Sequence, residues 1–77
     1  MGYPVRCKLF AGLRSALGTK EIELIFPEKP TVETVLNELK LDTKKSYILL
    51  RNGLHVGKDT LLEANDTLSI FPLVAGG

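Results

Sequence analysis

Val5, Cys7 and Leu9 alternate with Arg6 and Lys8. Period-two alternation marks a strand with one face in a core and one in water, and predicts a strand over residues 4–10. Residues 11–17 read as a short helix or a helical turn stopped by Gly18. Alternation returns with Ile22, Leu24 and Phe26 against Glu21 and Glu23, predicting a second strand over 20–26. The connection between the two is short, so they pair antiparallel. Pro27-Glu28-Lys29-Pro30 then interrupts the pattern as a loop. Thr31 is a helix cap, Glu33 places a negative charge in the first turn, and Val32, Val35, Leu36 and Leu39 form one apolar stripe. This helix is predicted to run to about Lys40. Residues 47–51 form a third strand, Asn52-Gly53 a hairpin turn needing positive φ at both positions, and 54–56 the return. Residues 59–63 are irregular or a short 3₁₀ turn, Asn65-Asp66 is a further turn, and 67–71 is the last strand. Pro72 has no N–H for a ladder, so regular pairing ends there.

One main helix and four or five strands have to share a single core, and the simplest arrangement lays the helix across one face of a mixed sheet. A helical crossover separates the first hairpin from the rest, so one parallel pair is expected, with the first and last strands as central neighbours. The expected class is α+β, a ubiquitin-like β-grasp. Its domain occupies residues 1–72, and 73–77 form a flexible C-terminal tail.

Composition narrows the function without naming it. A chain of 77 residues holds one small domain. Ten Lys and Arg face nine Asp and Glu, and along the sequence the cations look scattered, which is no footprint for nucleic acid. The single cysteine, Cys7, can form neither an internal disulfide nor a metal site alone, and fits a reducing cytoplasm. No apolar stretch approaches the ~20 residues of a membrane span. A cytosolic protein without nucleic-acid or membrane partners is expected.

The chemistry points to the end of the chain. Ile70-Phe71-Pro72-Leu73-Val74-Ala75 runs directly into Gly76-Gly77. Two terminal glycines add nothing to a core and lose the most backbone freedom on ordering. They make sense if the carboxylate of Gly77 is the working group, because a tail without bulk can be threaded through a narrow channel. From Leu73 to Gly77 the reach is roughly 17 Å at ~3.4 Å per residue.

Four segments carry a resemblance. Leu9-Phe10-Ala11-Gly12-Leu13-Arg14 resembles an LFAxLR motif. Thr31-Val32-Glu33-Thr34-Val35-Leu36 resembles a TVxxVL helix start. Asn52-Gly53 with Asp59, Leu61 and Asn65-Asp66 resembles an NG…L…GD run, and residues 71–77 resemble a terminal FPPVAGG. All four belong, in this order, to the MoaD/ThiS group of ubiquitin-like sulfur carriers, and most closely to the small subunit of molybdopterin synthase. Leu73 stands where that branch often has a second proline, and Asn65 where glycine is usual; Asn tolerates the left-handed conformation.

The resemblance implies a carrier and not an enzyme. A partner E1-like enzyme would spend ATP to adenylate the Gly77 carboxylate. A persulfide from the sulfur-donor system would convert it to a thiocarboxylate, and the large subunit of molybdopterin synthase would receive the sulfur. Val74, Ala75 and Gly76 would thread into these partners. No cofactor is expected on the chain itself. Phe10, Phe71 and Leu73 are candidates for an apolar docking face, with core packing the alternative for both phenylalanines. Arg14 is a candidate contact for a partner carboxylate or a plain helix-end residue. Three other readings stay open: a sulfur carrier for thiamine or tRNA thiolation, a ubiquitin-like modifier joined to lysines, and a plain interaction module. Cys7 is expected to be inert in the core. His55, Glu21 and Glu23 are expected to be solvated.

Overall fold

The computed structural model describes residues 2–73. Strand β1 (Tyr3–Leu9) puts Val5, Cys7 and Leu9 on one side, all at most 1% exposed, and Arg6 and Lys8 on the other. Helix α1 (Gly12–Leu17) follows and stops at Gly18, whose left-handed backbone (φ 73°) lets its N–H reach the Arg14 carbonyl. Strand β2 (Glu21–Phe26) returns antiparallel, pairing Lys8 with Glu21 and Tyr3 with Phe26.

Helix α2 (Val32–Glu38) begins where Thr31 Oγ1 accepts the Thr34 N–H at 3.2 Å. Val32, Val35, Leu36 and Leu39 are buried on one side. The helix ends two residues before the expected Lys40. Lys40 takes φ 62°, and its N–H and that of Leu41 close back onto the carbonyls of Asn37 and Leu36. Glycine usually occupies such a closing position; with lysine there, the stop leaves no mark in the sequence.

Strand β3 (Tyr47–Arg51) turns at Asn52 and Gly53, φ 50° and 88°, into the short β4 (Leu54–His55). Residues 59–63 are irregular, tied to Thr31 by a bridge from Leu61. Strand β5 (Asp66–Pro72) follows Asn65, which takes the left-handed φ of 70° expected of it.

The sheet order is β2-β1-β5-β3-β4, with β5 parallel to β1 and antiparallel to β3. The β-grasp expectation therefore holds: a mixed five-stranded sheet, the first and last strands adjacent, and one main helix joined by a second, shorter one. Leu49, Leu68 and Ile70 join β1, α2, Leu13 and Leu62 in one core on the helix side. Among the described residues no helix packs on the opposite sheet face. Strand alternation puts Thr67, Ser69 and Phe71 on it from β5, and Ile48 and Leu50 from β3.

Candidate functional site: the exit of the last strand

Parallel pairing carries β5 to the same end of the sheet as the last residues of β1, with Leu9 beside Ile70 and the Phe10 N–H donating to the Ile70 carbonyl at 3.3 Å. Phe10 and Phe71 thereby meet on the open face. Their rings stack with centroids 4.1 Å apart and planes 12° apart, and each stays half-buried. Ile48 lies opposite Phe71 in the β3 register and is 38% exposed. Leu73, directly after the strand, is 55% exposed. The stacking brings two of the sequence candidates together as one apolar knob, and neither belongs to the helix-side core.

Behind the exit lies a groove of about 680 Å³ between α1 and the loop following α2, lined by Leu13, Ala16, Leu41, Tyr47, Pro72 and Leu73, with Lys40, Asp42 and Lys45 at its rim. The loop has its own fastening. Lys58 Nζ donates to the carbonyls of Thr43 and Lys45, and the ammonium sits 6.0 Å from the centre of the Tyr47 ring. Tyr47 Oη donates to the Asp42 carbonyl at 2.9 Å. Burial, and secondarily the Asp42 charge, push the Tyr47 hydroxyl above its ordinary pKa. It stays a neutral donor.

Arg14 is exposed on α1 and lines a smaller pocket of about 250 Å³ with Phe10, Lys8, Lys20 and Glu21. It thus stands beside the aromatic pair. Val74, Ala75, Gly76 and Gly77 lie outside the described residues.

The other chemically interesting side chains stand apart from this site. Cys7 is fully buried, and burial pushes its thiol pKa up to about 12, so it is no nucleophile. His55 is exposed on β4. Glu21 is exposed and pairs with Arg6 at 3.4 Å, and Glu23 is exposed nearby. Among the described residues no cluster of three His, Cys, Asp or Glu could hold a metal ion, and no helix is long and apolar enough to cross a membrane.

Sequence reasoning missed Ile48, Lys8 and Lys20 at this site. Alternation could have placed Ile48 on the open face, but only the strand order puts it beside Phe71. The same holds for Lys8 and Lys20, which lie at the junction of β1 and β2.

A β-grasp domain whose last strand ends beside a half-buried aromatic pair has the fold of the ubiquitin-like carriers and modifiers. The particular family follows from comparison. The model of the ThiS family matches residues 7–77. The chain belongs to that family, the group of small ubiquitin-like sulfur carriers its motifs resemble. A search of curated protein sequences gives no significant match. Among solved structures, small archaeal modifier protein 1 of Methanosarcina acetivorans is 32% identical, with a TM-score of 0.75, covering 100% of this chain and 99% of its own. A Pyrococcus furiosus protein described as molybdopterin converting factor, subunit 1, is 27% identical at TM-score 0.79, covering 94% and 99%. Small archaeal modifier protein 1 of Haloferax volcanii, 24% identical at TM-score 0.81 over 95% and 100%, shares the fold.

Proposed function

We propose that this chain is a sulfur carrier for the synthesis of molybdopterin, the organic part of the molybdenum and tungsten cofactor. The observation that carries the reading is the family match, which spans residues 7–77 and so includes the end of β5 and Gly77. The likeness to the Pyrococcus furiosus protein supports the molybdopterin branch.

A carboxylate resists nucleophiles because its charge is shared by both oxygens. In the proposed cycle a Gly77 carboxylate oxygen attacks the α-phosphorus of ATP in an E1-like partner and releases pyrophosphate. A persulfide sulfur then attacks the acyl carbon and expels AMP. Reductive cleavage of the S–S bond by a thiol leaves the thiocarboxylate. The large synthase subunit presents an electrophilic precursor to that sulfur, which forms a C–S bond to it; water then cleaves the acyl–sulfur bond, leaving the sulfur on the precursor and returning the Gly77 carboxylate. Residues 73–77 act as the reaching tail and 1–72 as the domain that presents it. Val74, Ala75 and Gly76 thread the partner's channel. Phe10, Phe71 and Leu73 dock, and Arg14 adds a charged contact. The catalytic groups and the ATP site belong to the partners, and no cofactor is bound by the chain.

The likeness to the small archaeal modifier proteins supports a second reading, in which the same activated carboxyl is joined to lysine amines of other proteins.

The test is incubation with the host's activating enzyme, ATP and a sulfur donor, followed by mass analysis of the C-terminal peptide. One oxygen replaced by sulfur at Gly77 is the expected result. An unmodified Gly77 with an active enzyme excludes the carrier. Conjugates resistant to thiol reductants select the modifier. Gly77→Ala is expected to impair activation while leaving the melting temperature within about 2 °C, since chain ends contribute little to stability.

A further inference from the structure

The net charge of +1 conceals an uneven distribution. Lys8, Arg14 and Lys20 border the pocket beside Phe10, and Lys40 and Lys45 border the groove behind Leu73. Five cations thus surround the exit of β5. The two carboxylates among them are Glu21, which already pairs with Arg6, and Asp42, whose Oδ1 accepts the Lys44 backbone N–H at 2.9 Å. Among the described residues none of the five cations is in an ion pair, whereas Lys29 and Arg51 are both paired, with Glu63 and Asp66. Around the start of β5 and of α2 the acids dominate: Glu28, Glu33, Asp59, Glu63 and Asp66. The charges that look scattered along the sequence are gathered by the fold at one end.

We infer that this basic collar docks against an acidic rim on the protein that activates the tail, so that charge steers the chain in tail-first while the Phe10–Phe71 knob supplies the apolar contact. The inference rests on the carrier or modifier reading, since both need an activating partner. Two physical points favour an acidic protein face. Unpaired exposed cations on both sides of the strand exit, three beside Phe10 and two beside Leu73, match a partner carrying carboxylates around an apolar cleft, and complementary fields raise association rates by 10-fold or more at low salt. A basic rim on the partner would meet these cations with like charge.

The experiment is ATP–pyrophosphate exchange by the host's activating enzyme, read as kcat/KM for this protein between 20 mM and 500 mM NaCl. Lys8→Glu/Lys20→Glu and Lys40→Glu/Lys45→Glu are compared with Glu28→Lys/Asp59→Lys at the far end. The collar variants are expected to lose at least about 10-fold at low salt and to approach wild type at 500 mM, because screening removes the effect. The far-end variant is expected to stay within about 2-fold. Thermal melts check folding, and Lys→Gln pairs replace any variant that does not fold. Collar variants no worse than the far-end variant, or losses that persist unchanged at high salt, overturn the inference while leaving the carrier reading intact. Tight, salt-sensitive binding of single-stranded RNA by the wild type, lost in the same variants without loss of exchange, overturns it in favour of a nucleic-acid surface. Absence of exchange with wild type removes the activating partner and the inference with it.

Discussion

The two ends of β5 solve opposite problems with the same seven-residue strand. At its start Asp66 is only 6% exposed yet charged. Its carboxylate accepts the Glu63 N–H at 2.7 Å, the Arg51 Nε at 2.7 Å and the Asn52 amide at 3.0 Å, while Asn52 Oδ1 accepts the Thr67 N–H at 2.9 Å. One side chain thereby ties the β3–β4 turn to the first residues of β5. At the other end Phe71 stays partly exposed, Pro72 offers no donor, and Leu73 is 55% exposed. The strand is anchored by polar bonds at its base and presents apolar surface at its tip. Stability and recognition therefore reside in different residues, far enough apart for their mutational effects to add independently.

The base should give the largest stability effect. Asp66→Ala removes three hydrogen bonds to a carboxylate and strands the Glu63 N–H and the Asn52 amide, and is expected to cost about 2–3 kcal/mol. For a domain of this size that lowers the melting temperature by roughly 8–24 °C. Activation by the partner, measured well below the melt, should change little. A loss under about 1 kcal/mol would show that the base is not the anchor.

The tip should reverse the pattern. Phe71→Ala removes one ring of the stacked pair, and as the centre of a docking face it is expected to weaken partner binding by about 2 kcal/mol, roughly 30-fold. Because the ring is only half-buried, stability should fall by only about 1 kcal/mol. Calorimetric titration against the activating enzyme, beside a thermal melt, separates the two. A variant that loses stability heavily and binds normally would return Phe71 to the core.

Acid sharpens the contrast further. Burial works against the Asp66 charge, but the Glu63 N–H, the Asn52 amide and Arg51 together hold its pKa below the ordinary carboxylate value. A carboxyl whose pKa is depressed in the folded state contributes stability above its unfolded pKa, near 3.9, and loses that contribution as pH falls through the folded value. Chemical denaturation between pH 6 and pH 2 should therefore show a stability decline below about pH 4. Asp66→Asn should flatten part of that decline, and no tip variant should alter it.

The same contrast explains what could be read in the sequence. Strand alternation, the Thr31 cap and the Asn52-Gly53 turn are local signals, and they placed the strands and the main helix to within two residues or so. The left-handed Asn65 was readable for the same reason. Asp66 looked like one more turn residue, because its partners Arg51 and Asn52 come from another hairpin and only the β3–β5 register brings them together. The aromatic candidates followed from their place beside the terminal motif. The basic collar did not: Lys8, Arg14, Lys20, Lys40 and Lys45 come from four separate stretches that the sheet order and the close of α2 bring to one end. Long-range pairing, and a helix stop made by lysine where glycine is usual, carry no local signature.

The smallest effect expected lies at the tip, where Ala11 follows Phe10. Ala11 has φ 54° and ψ −131°, a conformation that alanine rarely adopts, whereas the next residue, Gly12, is helical and has no atom within 4 Å of a Cβ built there. Strain of this kind costs about 1–3 kcal/mol, and glycine at position 11 would relieve it while adding about 0.5–1 kcal/mol of backbone entropy cost. Ala11→Gly is thus expected to stabilise the domain by about 1 kcal/mol, raising the melting temperature by roughly 4–8 °C. Adding Gly12→Ala should contribute a few tenths of a kcal/mol more through helix propensity, with no steric penalty. If the strain at Ala11 is kept because it fixes the angle at which Phe10 meets Phe71, the more stable variant will bind the activating partner less well. Equal binding would mean that the tip tolerates relaxation, and that only the aromatic pair and its charged surroundings matter for docking. A lower melting temperature for Ala11→Gly would show that the turn stores no strain.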